Sequence, residues 1–297
     1  MKNRNFLVRT ITGFCLMLVM LPAIYFGGIF FLTITTIFSG VATYELMNMF
    51  YTKHPKIKNM RFVLPIFSSL TVVSFYLGIN YSLSFLPIVP MLLGLIVSMV
   101  FGVLKDGTDS YDILSCVTSL VYGGLLFACA TSVEYLQPIQ KEGFELTRTA
   151  GRLFAYLYSV VVCSDMFAYI FGCTFGKHKL CEKISPKKSV EGAIAGLVLG
   201  AFVGTILGVV LKVIPINTME TTGTKVLAIA CVYVVSLIIS ATSQIGDLVA
   251  SKLKRTYEIK DYGFIFPGHG GVMDRFDSCI FAGAMFFAIM QIIYLFL

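Results

Sequence analysis

The chain has 297 residues, 57% of them apolar and only 13% charged, with a mean hydropathy of +0.85. Soluble domains carry about 25% charged residues, and here the shortage runs along most of the length, so the sequence is that of an integral membrane protein. That composition excludes a collagen, a disordered tail and a secreted disulfide scaffold, and the eight cysteines, scattered singly with no C-x-x-C pair, read as small core hydrophobes. The histidines, His54, His178 and His269, show no zinc-ligand spacing with one another or with a cysteine pair.

A spanning helix needs roughly 20 apolar residues. Nine stretches fit, at about 10–27, 29–50, 62–79, 83–103, 114–136, 150–173, 191–213, 225–245 and 276–296. They predict an all-α, polytopic membrane protein. The first stretch is too long for a cleaved signal peptide, and a second follows it at once through Gly27-Gly28, so it is expected to stay attached. With the N-terminus in the cytoplasm, the outer loops hold Lys141, Arg148, Arg152, Lys212 and Lys225, leaving 18 of the 23 basic residues inside. The net charge of +7 is therefore read as an orientation signal with attraction to anionic headgroups, and no nucleic acid is called for.

Residues 1–136 read as about five spans joined by short, simple loops. Residues 137–297 carry the unusual chemistry, concentrated in two cytoplasmic segments, 174–190 and 246–275.

Ionisable groups in or beside a span mark function by default, because hydrocarbon penalises charge. Asp165, Glu191, Asp247, Asp274 and Asp277 all fall near the cytoplasmic boundary, whereas Glu45 reads as an inner-interface residue and Glu134 as solvated at the outer surface. Asp274 and Asp277, three residues apart, share one helix face. Gln244, Asp247, Ser251 and Arg255 make a polar stripe along an otherwise apolar helix, with Gly246 allowing close approach beside Asp247. Carboxylates from separate helices at one depth suit magnesium, which also takes phosphate oxygens; a structural ion-pair cluster with Lys254 and Arg255 is the plainer alternative.

Ser185-Pro186-Lys187-Lys188 reads as a helix start, with Ser185 as N-cap and Pro186 in the first turn. Lysines there oppose the helix dipole, and a bound phosphate would account for them; a positive-inside signal accounts for the charge but not for its placement. Pro267-Gly268-His269-Gly270-Gly271 supplies a backbone able to approach a phosphate closely. These features together suggest metal-assisted chemistry on a phosphate whose other end stays in lipid.

The run Ser251-Lys252-Leu253-Lys254-Arg255, then Lys260-Asp261, then Pro267 through Ser278 resembles the signature of the phosphatidate cytidylyltransferases, or CDP-diacylglycerol synthases. Ser164-Asp165, Ser185-Pro186-Lys187-Lys188 with Glu191-Gly192, and Ser243-Gln244 with Gly246-Asp247 follow in the family's order, while Ser189-Val190 departs from the Thr-Trp pair of many members. The resemblance implies cytidylyl transfer from CTP to phosphatidate in a multi-pass homodimer of the cell membrane with its site facing the cytoplasm. It also implies a metal centre of magnesium, described as paired with potassium, at Asp247 and Asp274, with Asp165 and Asp277 as neighbouring acids. On that reading Asp247, Asp274, Lys188 and Arg275 carry the reaction. Ser185, Lys187, Lys188, Ser243, Gln244, Lys254, Arg255, His269, Gly270 and Gly271 would hold substrate. An enzyme for another lipid phosphate would share this signature. An ion-coupled transporter would instead place Asp165, Asp247 and Asp274 at mid-membrane with access from both sides.

Overall fold

The computed structural model describes residues 18–136, 140–141, 144–145, 151–214, 216, 219 and 221–296. Among these residues the fold is helical apart from two small hairpins. Seven helices are long and apolar enough to cross a membrane. They are α1 (Gly28–Tyr51), α2 (Met60–Asn80), α4 (Ser110–Tyr135), α5 (Arg152–Phe175), α6 (Val190–Val210), α7 (Thr222–Thr256) and α8 (Met273–Phe296). Between α2 and α4 lies α3 (Ile88–Leu104), a shorter apolar helix of 17 residues. Of the first expected span, 10–27, residues 10–17 lie outside the described residues, and 18–26 are helical. The chain is thus a multi-pass membrane protein, and side chains such as Phe62, Ile66, Val103, Phe202 and Leu227 are exposed along its helices, as lipid-facing positions require.

By contacts the chain forms two compact units, Met1–Tyr135 with Leu253–Phe276, and Leu136–Lys252 with Asp277–Leu297. In the first, α1, α2 and α4 approach closely through small residues, the usual means of helix association in lipid. Seven residues of α4, Leu120–Leu126, are wound as a π-helix. Gly123 and Gly124 in that segment leave room for Thr43 and Ser68. Ser39 donates to the Gly123 carbonyl at 2.7 Å and Thr43 to Ser68 at 2.8 Å, so these hydroxyls fasten the crossing. The start of α4 is fixed by a reciprocal capping box between Asp109 and Asp112, and Asp112 also meets His54 Nδ1 at 3.0 Å. Those three residues gather within 4.8 Å, and the cap accounts for their meeting.

In the second unit α6 carries a glycine every four residues, Gly192, Gly196, Gly200, Gly204 and Gly208. A Cβ at any of the last four would press into Ser164, Val160 or Tyr156 of α5, so this stripe lets the two backbones lie against each other. Ser240 of α7 donates to Ser164 Oγ at 2.7 Å and to the Gly196 carbonyl at 3.1 Å, fastening α7 to the same crossing.

The hairpin between α5 and α6 pairs β3 (Lys179–Cys181) with β4 (Ser185–Ser189), Lys179 opposite Ser189 and Cys181 opposite Ser185. This corrects the reading of Ser185 as a helix cap. Pro186 has no N–H to give and is tolerated on an edge strand, while Ser189 is the better cap, accepting the Gly192 N–H at 3.2 Å. The helix therefore starts at Val190. A second hairpin pairs β1 (Gln140–Lys141) with β2 (Phe144–Glu145).

Candidate active site

The expected site residues divide between the two units. In the first, α7 ends in Lys254 and Arg255 and α8 begins at Met273, so the signature lies on the connection between two long helices. Asp274, in the first turn of α8, is buried and accepts three hydrogen bonds. Lys254 Nζ reaches Oδ1 at 2.8 Å, and the backbone N–H groups of Tyr262 and Gly271 reach Oδ2 at 2.7 and 3.0 Å. The Lys254 ammonium also stands over the Tyr262 ring, 5.2 Å from its centre, where the ring face adds to its stabilisation.

The glycine run is a tight turn. The Phe266 N–H donates to the Gly270 carbonyl at 2.9 Å and the His269 N–H to the Phe266 carbonyl at 2.8 Å. Gly268 and Gly270 adopt φ of 75° and 87°, a region that only glycine enters without strain. A Cβ on Gly270 would run into the Asp274 carboxylate, and one on Gly263 or Gly271 into that of Glu45. The close approach read from the sequence is thus made first to the protein's own carboxylates. Arg255 and Arg275 are exposed, and His269 is half-buried.

Glu45 is the residue that sequence reasoning undervalued. It is 3% exposed rather than sitting at the interface, and it accepts the N–H groups of Val272 and Met273 at 3.1 and 2.9 Å. Glu134 is likewise buried, not solvated.

In the second unit Lys188 of β4 pairs with Asp247 of α7 at 2.5 Å, both side chains 30% exposed. Ser251, one turn along α7, donates to the other Asp247 oxygen at 3.2 Å. Lys187 is exposed, while Lys188 is half-buried. Asp165, exposed on α5, is within electrostatic reach of both Asp247 and Lys188. The hairpin is strapped to α6 by Glu191, which accepts the Lys177 and His178 N–H groups and meets His178 Nδ1 at 2.6 Å. Ser185 is half-buried on β4. Gln244 donates to Ser164 Oγ of α5 and the Ala193 carbonyl of α6 and so ties α7 to both, whereas buried Ser243 donates within α7 to the Ser240 carbonyl. Asp277 is buried on α8, accepts the Ser278 N–H at 2.8 Å, and like Asp165 acts electrostatically on Cys279.

Each unit therefore presents a carboxylate paired with a lysine ammonium, Asp274 with Lys254 and Asp247 with Lys188. Acids of this kind hold hard cations, and the neighbouring cations suit phosphate oxygens.

Residues 7–293 match the family model described as the cytidylyltransferase family. A protein of Staphylococcus saprophyticus named phosphatidate cytidylyltransferase is 32% identical over 277 residues, 92% of this chain and 95% of the relative. Proteins of the same name from Staphylococcus haemolyticus and Staphylococcus aureus are 32% and 29% identical over 278 and 283 residues, with the same coverage of each chain. The match runs through both units and takes in every acid and cation described above, and the chain belongs to the cytidylyltransferase family.

Proposed function

We propose that this protein transfers the cytidylyl group of CTP to phosphatidate, forming CDP-diacylglycerol and diphosphate. The observation that carries the reading is the pair of carboxylate–ammonium groups, Asp274 with Lys254 and Asp247 with Lys188, in a chain whose family is cytidylyl transfer. A phosphatidate oxygen attacks the α-phosphorus of CTP, the bond to the bridging oxygen breaks, and diphosphate leaves in line with the incoming oxygen. The attacking phosphate monoester is already anionic, so no strong base is required of His269, whose backbone instead closes the glycine turn. Lys187, Lys188, Lys254, Arg255 and Arg275 supply the positive charge that orients both phosphates and offsets the charge developing on diphosphate.

The donor set fits a magnesium ion. Oδ1 of Asp274 and the two oxygens of Asp247 accept from the side chains of Lys254, Lys188 and Ser251, which can swing aside, whereas Oδ2 of Asp274 is held by backbone. Asp274 in the first unit and Asp247 in the second are each proposed as magnesium ligands, with Asp165 and Asp277 as further acids and potassium as the second cation of the family pattern. When bound, magnesium supplies charge neutralisation at the phosphates. The excess of cationic residues in the loops expected to be cytoplasmic supports a site on that face of the cell membrane, in a homodimer as in the resembling family.

Purified protein in detergent is expected to release diphosphate from CTP only when phosphatidate and magnesium are both present. Release without lipid would make the protein a nucleotide hydrolase, and release without a divalent cation would remove the metal from the reading.

A further inference from the structure

We propose that Glu45, in α1, is a positioning residue for the reaction, holding the signature loop so that Asp274 keeps its working geometry. The inference rests on the reading of Asp274 as a group that acts on substrate or metal.

The first N–H groups of a helix have no partner within it and are usually met by a side chain at the N-cap itself. Here α8 starts at Met273, and the side chain of the residue before it, Val272, has no acceptor to offer. The acceptor comes instead from Glu45, more than 220 residues earlier, whose two oxygens take the Val272 and Met273 N–H groups at 3.1 and 2.9 Å. Burying a carboxylate is costly, and hydrogen bonds to both oxygens together with the positive end of the helix dipole offset that cost. A helix cap alone would be met by a serine at position 272, without bringing a charge into the interior.

What the distant carboxylate adds is a grip on the loop. A Cβ on Gly263 or Gly271 would run into it, so a side chain at either position would have to displace the carboxylate. Gly271 is also the residue whose N–H donates to Asp274 Oδ2 at 3.0 Å. A single peptide thus touches Glu45 on its Cα side and Asp274 through its nitrogen, and a shift at Glu45 is passed directly to Asp274. Tyr262, next to Gly263, supplies the other backbone donor to the same Asp274 oxygen at 2.7 Å. Both backbone contacts of Asp274 are therefore set by segments packed on Glu45.

The test compares Glu45→Ala, Glu45→Gln and Asp274→Asn in the full-length protein. For each variant, kcat, the KM for CTP, the magnesium concentration giving half-maximal activity and the thermal unfolding temperature are measured. Misplacing a reacting group by about an ångström costs about 100-fold in rate. Folded Glu45→Ala is expected to lose about 10- to 100-fold in kcat and to need more magnesium. Glu45→Gln, which keeps one acceptor oxygen but turns an N–H₂ toward a backbone N–H, is expected to fall between it and the wild type. Wild-type kcat and magnesium requirement in either folded variant would overturn the inference. So would a loss of activity that only tracks the folded fraction, since that is what a purely structural residue gives. If Glu45→Ala does not accumulate, the isosteric Glu45→Gln is judged by the same criteria. Retained activity in Asp274→Asn would overturn the underlying reading of Asp274 instead, whatever the Glu45 variants do.

Discussion

Asp274→Asn is expected to lower turnover by about 10²- to 10³-fold in protein that still folds. The aspartate meets Lys254 Nζ and two backbone N–H groups with one buried carboxylate. Asparagine keeps a single oxygen and presents an N–H₂ to groups that are themselves donors, so either the ammonium or the backbone loses its acceptor. Leaving a buried donor unmet costs about 1–3 kcal/mol, which lowers the unfolding temperature without abolishing a fold held by seven long apolar helices. The rate loss has a separate origin, because a neutral amide is a poor ligand for a hard cation. Steady-state kinetics beside thermal unfolding in the same detergent check both parts. Near-normal turnover in the folded variant would remove Asp274 from the reaction.

Asp247→Asn separates function from stability more cleanly. Asp247 and Lys188 are each 30% exposed, and ion pairs that open to solvent contribute about 0–1 kcal/mol. The variant is therefore expected to unfold within a few degrees of the wild type while losing about 10²-fold or more in turnover. Lys188→Met, which removes the other half of the pair, is expected to show the same small change in stability with a higher KM for CTP. A folded Asp247→Asn protein with wild-type kinetics would mean that the pair is structural only.

The spans were legible because hydrocarbon imposes a length and a composition on any helix that crosses it, and α1, α2 and α4 through α8 lie close to where the apolar runs put them. Asp247, Asp274 and the stripe on α7 were legible for the complementary reason: charge inside apolar sequence stands out. Tertiary partnership was not. Nothing near Glu45 marks it as the acceptor for Val272 and Met273, since the contact joins distant segments and leaves no periodic trace. The same holds for the segment Leu253–Phe276, which packs into the unit formed by the N-terminal helices although it follows α7 in the chain. At Ser185–Ser189 a local rule misled: a serine followed by proline fits a helix start, and pairing with Lys179–Cys181 overrode it. The glycine stripe of α6 was present in the sequence from the outset, and its four-residue spacing is the signal that would have announced the close crossing with α5.

The account turns on which phosphorus of the nucleotide is attacked. The most direct test incubates the purified protein with phosphatidate, magnesium and CTP labelled either at the α- or at the γ-phosphate, and follows the label. Cytidylyl transfer predicts that α-label enters the lipid fraction as CDP-diacylglycerol while γ-label leaves entirely as diphosphate. Label from the γ-position in the lipid, or α-label confined to water-soluble products, would contradict it.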